Sequence, residues 1–226
     1  MDELRSSAAE MRLVGGRLCL DFVNTVDGRR DESSQTKSNS LVLGDKLNDY
    51  SDLTAWSQHS GIVTATEAGR LTKEAKKTPK AARGVLRRAV ALREALHHLF
   101  KATMNNRVPH SSDLETLNGE LLKARNNERL IGTADGFEWK WTGDETDLDR
   151  MLWPIAHSAA EFLSTGDLSR LRECGGEDCG WLFEDTSRNN SRQWCHMQDC
   201  GNLAKVRRFR TRLRSVGKTR KASPRS

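Results

Sequence analysis

Four cysteines in two C-x4-C pairs constrain this chain more than any other feature. Cys174 and Cys179 form the first pair, Cys195 and Cys200 the second, with fifteen residues between the pairs. Each pair is short enough to close as a tight knuckle, and a hairpin joining the knuckles would bring four thiolates around a tetrahedral Zn2+. With the fifth cysteine, Cys19, the count is odd and clustered. That favours a metal site in a reducing cytosol over a disulfide framework, and leaves Cys19 as a small buried hydrophobe. Four thiolates fill a tetrahedral zinc, so no position stays open for a hydrolytic water and His196, beside Cys195, is not needed as a ligand. Trp181 and Phe183 alternate with polar neighbours and Trp194 follows a turn over 185–191. These aromatics are expected to shield the metal of a module too small for a large core of its own.

The charge of the chain is divided unevenly. Residues 170–226 carry 14 Lys and Arg against 6 Asp and Glu, whereas residues 1–169 carry 23 against 25. A near-neutral body therefore precedes a cationic end suited to phosphate. After Cys200 the spacing predicts a helix. Leu203, Val206, Phe209 and Leu213 gather on one side as a seam expected to dock on the zinc module or the body. Lys205, Arg207, Arg208, Arg212 and Arg214 occupy much of the remainder. Arg188, Asn189 and Arg192 in the preceding turn add groups able to contact phosphates or base edges. Residues 217–226 read as a flexible basic arm.

The body, residues 15–169, reads as mainly helical. Residues 1–14 look frayed. Leu18, Leu20, Phe22 and Val23 form an apolar run that fits a strand or a short buried helix. Beside it, Asp21, Asn24, Asp27 and Arg29 are turn-forming and capping residues or the mouth of a ligand pocket. Helices are expected over 51–59, over 67–77 ending near Pro79, and over 82–104, where the apolar spacing is clearest. His97 and His98 on the last of these lack ligand partners at helical spacing. A further helix opens with a Ser112-x-x-Glu115 capping box and an inner stripe of Leu114, Leu117, Leu121 and Leu122. Phe137, Trp139 and Trp141 alternate as a strand, paired with 129–133 in a hairpin, and a last helix covers 147–163. No phosphate-cradling glycine loop, HExxH or GxSxG is present, so nothing in the body assembles a catalytic set. No apolar run approaches a membrane span, and the start of the chain carries no export pattern.

The run CGWLFEDTSRNNSRQWCHMQDCGNLAKVRR resembles the CGNR-type zinc finger, a bacterial module named for the residues around its last ligand. GGRLCLDFVNTVDGR resembles the opening of the ABATE domain that usually precedes that finger, and LWPIAHSAAEFL with RLRECGGEDC resembles the junction between them. The resemblance implies a stress-related transcription regulator with zinc on Cys174, Cys179, Cys195 and Cys200, and places its Ser-Arg-Asn motif on Ser187, Arg188 and Asn189. This chain departs from the pattern at Leu203, where the naming arginine would stand.

The expectation is thus a mainly α protein: a helical body with a small β-hairpin, then a compact treble-clef-like finger (170–216) of knuckle, hairpin and basic helix. It would be a cytoplasmic, non-enzymatic regulator that binds double-stranded DNA, the body sensing a small-molecule effector or forming a homodimer. RNA binding through the same basic face, or docking of an acidic protein partner, are the alternatives.

Overall fold

The computed structural model describes residues 7–29 and 44–221, with side chains to residue 212. The apolar run near the start resolves as a short helix, α1 (Leu18–Val23), buried on nearly all sides. Strands β1 (Val26–Asp27) and β2 (Gly44–Asp45) pair antiparallel beside it. Three helices follow: α2 (Tyr50–His59), α3 (Ala65–Lys77) and α4 (Pro79–Met104). The first two start at capping boxes, Asp49 with Asp52 and Thr64 with Glu67, whose side chains satisfy otherwise unpaired N–H groups. Pro79 stands at the first position of α4. Its missing N–H costs nothing there, so it starts a helix as well as ending one.

Helix α5 (Ser111–Asn126) differs from its expected start. His110 is the N-cap and no side chain caps it, because the helix begins two residues early and leaves Ser112 within the first turn. Its inner stripe is also narrower than the sequence suggests. Leu117 and Ala124 are buried, whereas Leu114 and Leu122 are exposed. Hairpin strands β3 (Glu128–Thr133) and β4 (Gly136–Trp141) come next, in the expected place. The last body helix, α6 (Leu152–Thr165), starts later than residue 147. Pro154 fixes that start, since a proline is tolerated only in the first turn.

One core joins these helices. Phe22 stacks obliquely on Trp56, and Phe100 on Phe162, with Leu20, Leu53, Leu71, Leu92, Leu96 and Ile155 fully enclosed around them. Arg93 is buried in the same region but forks onto Asp45 at 2.6 and 2.7 Å, tying α4 to β2. The frayed N-terminus expected over 1–14 is contradicted for its second half: Ala8 and Met11 are buried, and the Met11 carbonyl bonds the His59 ring at 2.8 Å. Residues 1–6 lie outside the described part, as do residues 222–226 of the basic arm expected over 217–226, whose first five residues instead continue the last helix.

His97 on α4 supplies a pH-dependent element. Burial, then the Arg29 charge, lowers its pKa to about 3. The unfolded chain binds a proton on this ring near pH 6.5 that the folded chain refuses, so the stability is complete above 6.5 and is lost as pH falls toward 3. Asp21 acts in the opposite sense: burial raises its carboxyl to about 6, which weakens the fold as pH rises through that range. The variant His97→Leu should flatten the acid limb between pH 6.5 and 4 by up to roughly 3 kcal/mol, measured by urea unfolding across that interval. An unchanged pH dependence would mean that His97 is not the group responsible.

Candidate metal centre and the surface it supports

The chain leaves α6 through a 3-10 turn (Leu168–Arg170) into strand β5 (Leu171–Glu173), which pairs antiparallel with β6 (Leu182–Glu184). The sequence suggested a hairpin joining the two knuckles. Instead β5 and β6 flank the first knuckle, so Cys174 and Cys179 sit in the loop of the hairpin. The reason is the alternation of β5 and β6 themselves. Leu171 and Leu182 face the body core and Phe183 faces the cysteines, so the ladder is anchored from both sides.

The Sγ atoms of Cys174, Cys179, Cys195 and Cys200 all lie within 4.8 Å of one another. Cys195 stands 3.6 Å from both Cys179 and Cys200. Four thiolates about 2.3 Å from a tetrahedral zinc stand about 3.8 Å apart, so this spacing fits a metal and is far too long for a disulfide. The Cys195 amide donates to the Cys174 sulfur at 3.3 Å, the kind of outer contact that supports a thiolate ligand. Crowding drives the thiols apart in acidity: hydrogen bonds from the other three lower the pKa of Cys174, while the same contacts raise that of Cys179. A divalent cation resolves this by ionising all four. Two glycines hold the knuckles closed. Gly180 adopts φ +70°, and a Cβ there would stand 2.2 Å from the Arg29 carbonyl. A Cβ on Gly201 would stand 2.8 Å from the Trp194 ring. Trp194 and Phe183 line the cysteine cluster, as expected of shielding aromatics, and Trp181 bridges it to the body core.

A π turn around Cys200 (Met197–Gly201) leads into α7 (Asn202–Lys221). Its apolar seam is not docked: Leu203, Val206 and Phe209 are 45–63% exposed. Leu213 and Arg214 lie beyond the described side chains. Helix α7 is held at its foot, where Arg207 pairs with Glu177 at 2.8 Å and Asp178 at 3.1 Å on the first knuckle. The Arg208 guanidinium lies 6.0 Å from the Trp194 ring centre. Lys205, Arg208, Arg212, Arg188 and Asn189 are exposed. Arg192 departs from the role its sequence position suggested. Its guanidinium covers the Phe183 ring at 4.2 Å and donates to the carbonyls of Trp194 at 3.1 Å, Val14 at 3.0 Å and Cys195. It fastens the second knuckle.

The four residues grouped as a pocket mouth do not converge. Asp21 accepts from the Gly15 amide at 2.7 Å, Asp27 pairs with Lys46 at 2.7 Å, and Arg29 forks onto Glu94 at 2.6 and 2.8 Å. Asn24 clamps the backbone of Leu182, donating to its carbonyl and accepting from its amide, each at 2.8 Å. A groove of about 450 Å³ lies elsewhere, between α2 and α3, lined by Thr54, Gln58, Ala68, Thr72 and Lys76.

The Asn24 clamp belongs to a seam between body and finger that the sequence did not signal. Arg17 pairs with Glu184 at 2.7 Å, Lys101 with Glu173 at 2.6 Å, and the Trp181 indole donates to the Val26 carbonyl at 3.1 Å. Arg12 reaches His196 at 3.0 Å and Asp199 at 3.4 Å, and His196 also contacts Asp199, so this ring is engaged away from the thiols. The partners joining body to finger are 72 to 184 residues apart, beyond the reach of any local spacing.

No helix among the described residues is long and apolar enough to cross a membrane. No curated protein matches the chain. The CGNR zinc finger family matches residues 170–213. The ABATE family, described as "Putative stress-induced transcription regulator", matches residues 16–166. Neither is a family of enzymes. With two thirds of its length matched by the first and its four cysteines gathered within the second, the chain belongs to the ABATE family and ends in a CGNR zinc finger.

Proposed function

We propose that this chain is a zinc-containing transcription regulator that grips double-stranded DNA through its finger, while the body dimerises or answers a small effector. The observation that carries the reading is the exposed, cation-rich α7 rooted on the four-cysteine centre. An α-helix fits the major groove of B-DNA, and an undocked α7 leaves most of its circumference available. Lys205, Arg208 and Arg212 on the helix, with Arg188 and Asn189 in the preceding turn, are the proposed contacts, and Arg214 continues the same series. Arg207 contributes less, because Glu177 and Asp178 already neutralise it. Zn2+ is the proposed ion, on the grounds of an all-thiolate, tetrahedrally spaced ligand set. The α2–α3 groove suits a small effector better than Asp21, Asn24, Asp27 and Arg29, which are committed to other partners.

Duplex binding should weaken steeply with salt, because each neutralised phosphate releases counterions. Lys205→Ala and Arg208→Ala should each lower the slope of log affinity against log salt by about one. Fluorescence anisotropy on a mixed-sequence duplex, titrated at several salt concentrations, measures this. A zinc-loaded chain with no salt-dependent binding to duplex DNA would end the proposal. Preference for structured RNA in direct competition would transfer the same surface to RNA.

A further inference from the structure

The β3–β4 hairpin carries an apolar face that its own chain leaves uncovered. Phe137 is 80% exposed, Trp139 66% and Leu130, opposite Trp139, 54%. At the root Trp141 meets the body, packing on Trp153 and His157, and Glu128 opposite it reaches His157 at 3.6 Å. The outer edge of β4 is also unpaired among the described residues. The two-residue turn between Thr133 and Gly136 and the bond from the Thr142 amide to the Asn127 carbonyl set the alternation of the ladder. Residues 138 and 140 bond inward to β3. Phe137, Trp139 and Trp141 turn their N–H and C=O groups to the open edge.

The opposite face holds a charge pattern that the hairpin leaves unsatisfied. Lys140 stands across from Arg129, a like-charge pair, and Glu138 stands across from Ile131. Neither Glu138 nor Lys140 has an ion-pair partner among the described residues. The unpaired edge and the unsatisfied charges are met by one arrangement. If a second β4 adds antiparallel about a two-fold axis at Trp139, Glu138 faces the partner subunit's Lys140, and the symmetry makes the contact twice. The outward groups of 137, 139 and 141 then meet those of 141, 139 and 137, so every open N–H and C=O of the edge is paired. Two-fold axes at 138 or 140 would instead set Glu against Glu or Lys against Lys.

We infer that the chain forms a homodimer by edge-to-edge pairing of β4 with β4 of a second copy, in this register. Four strands then form one continuous sheet, with Leu130, Phe137 and Trp139 of both copies on its apolar face. The ladder and the lateral contacts of Phe137, Trp139 and Trp141 across the two-fold place the contact at the small end of specific interfaces. The inference rests on the reading of the body as a dimerisation unit and is independent of DNA binding.

Charge exchange tests it. In sedimentation velocity at micromolar concentration the full zinc-loaded chain should run as a dimer. Glu138→Lys alone and Lys140→Glu alone should each raise the dimer dissociation constant by on the order of a hundredfold, because each places like charges opposite one another twice. Mixing the two single variants should restore a dimer, as should the double exchange within one chain. Both residues are exposed, and circular dichroism with zinc content checks that the variants fold. A monomeric wild type would overturn dimerisation altogether. A wild-type dimer indifferent to the exchanges would overturn only the hairpin interface and place the contact elsewhere, and open-ended association would overturn the closed two-fold arrangement.

Discussion

Cys195→Ser should abolish zinc binding, the fold of the finger and the proposed DNA binding together. Cys195 is central to the site: its sulfur stands 3.6 Å from two of the other thiols and its amide supports the third. Small structural zinc modules draw roughly 10–16 kcal/mol from metal binding, and three thiolates with a hydroxyl forfeit a large part of that. Zinc stoichiometry by chelator competition should fall from one per chain toward zero, and the anisotropy shift with duplex DNA should vanish. The loss should also reach the body, because Leu171 and Leu182 of the finger's hairpin complete the body core. A strong chelator should therefore lower the unfolding midpoint of the whole chain. Retention of one tightly held zinc by the variant would remove Cys195 from the ligand set.

Asn24→Ala should be severely damaging although the residue lies outside both the metal site and the aromatic core. The Asn24 amide satisfies both backbone groups of Leu182 in a buried setting, as a neighbouring strand would. Truncation orphans one donor and one acceptor, each costing about 1–3 kcal/mol, so a loss of roughly 2–5 kcal/mol is expected in denaturant unfolding. Asn24→Asp should be no milder, since it sets a carboxylate oxygen against the Leu182 carbonyl. A cost below about 1 kcal/mol for the alanine variant would mean that water replaces the clamp.

What could be read from the sequence divides by the distance over which it was written. The cysteine pairs and the apolar spacing of α4 are local signals, and both appear in the structure where the spacing puts them. Asn24 attracted notice by residue type, but its partner, Leu182, lies 158 residues away, and Arg192 reaches Val14, 178 residues away, besides its near neighbours. Chemistry without a partner is ambiguous: the same asparagine serves a pocket or a clamp. The α7 seam and the β4 aromatics expose a second limit. Periodicity identifies which residues share a face, yet whether another surface covers that face is decided by tertiary geometry. Burial was expected for Val206 and Phe209, and they are exposed.

The rooting of α7 has a mechanical consequence. The helix rises from a π turn beside Cys200, and the cysteine module is fastened to the body by Asn24, Arg17, Lys101, Trp181 and Arg12. Twenty helical residues span ~30 Å, so a tilt of ~5° at the foot sweeps the far end through ~2.6 Å. That is close to the length of a hydrogen bond. A finger on a loose tether would absorb small strains in the body. A boom set in a rigid footing amplifies them, and carries a shift of α1 too small to break a contact out to the end of α7.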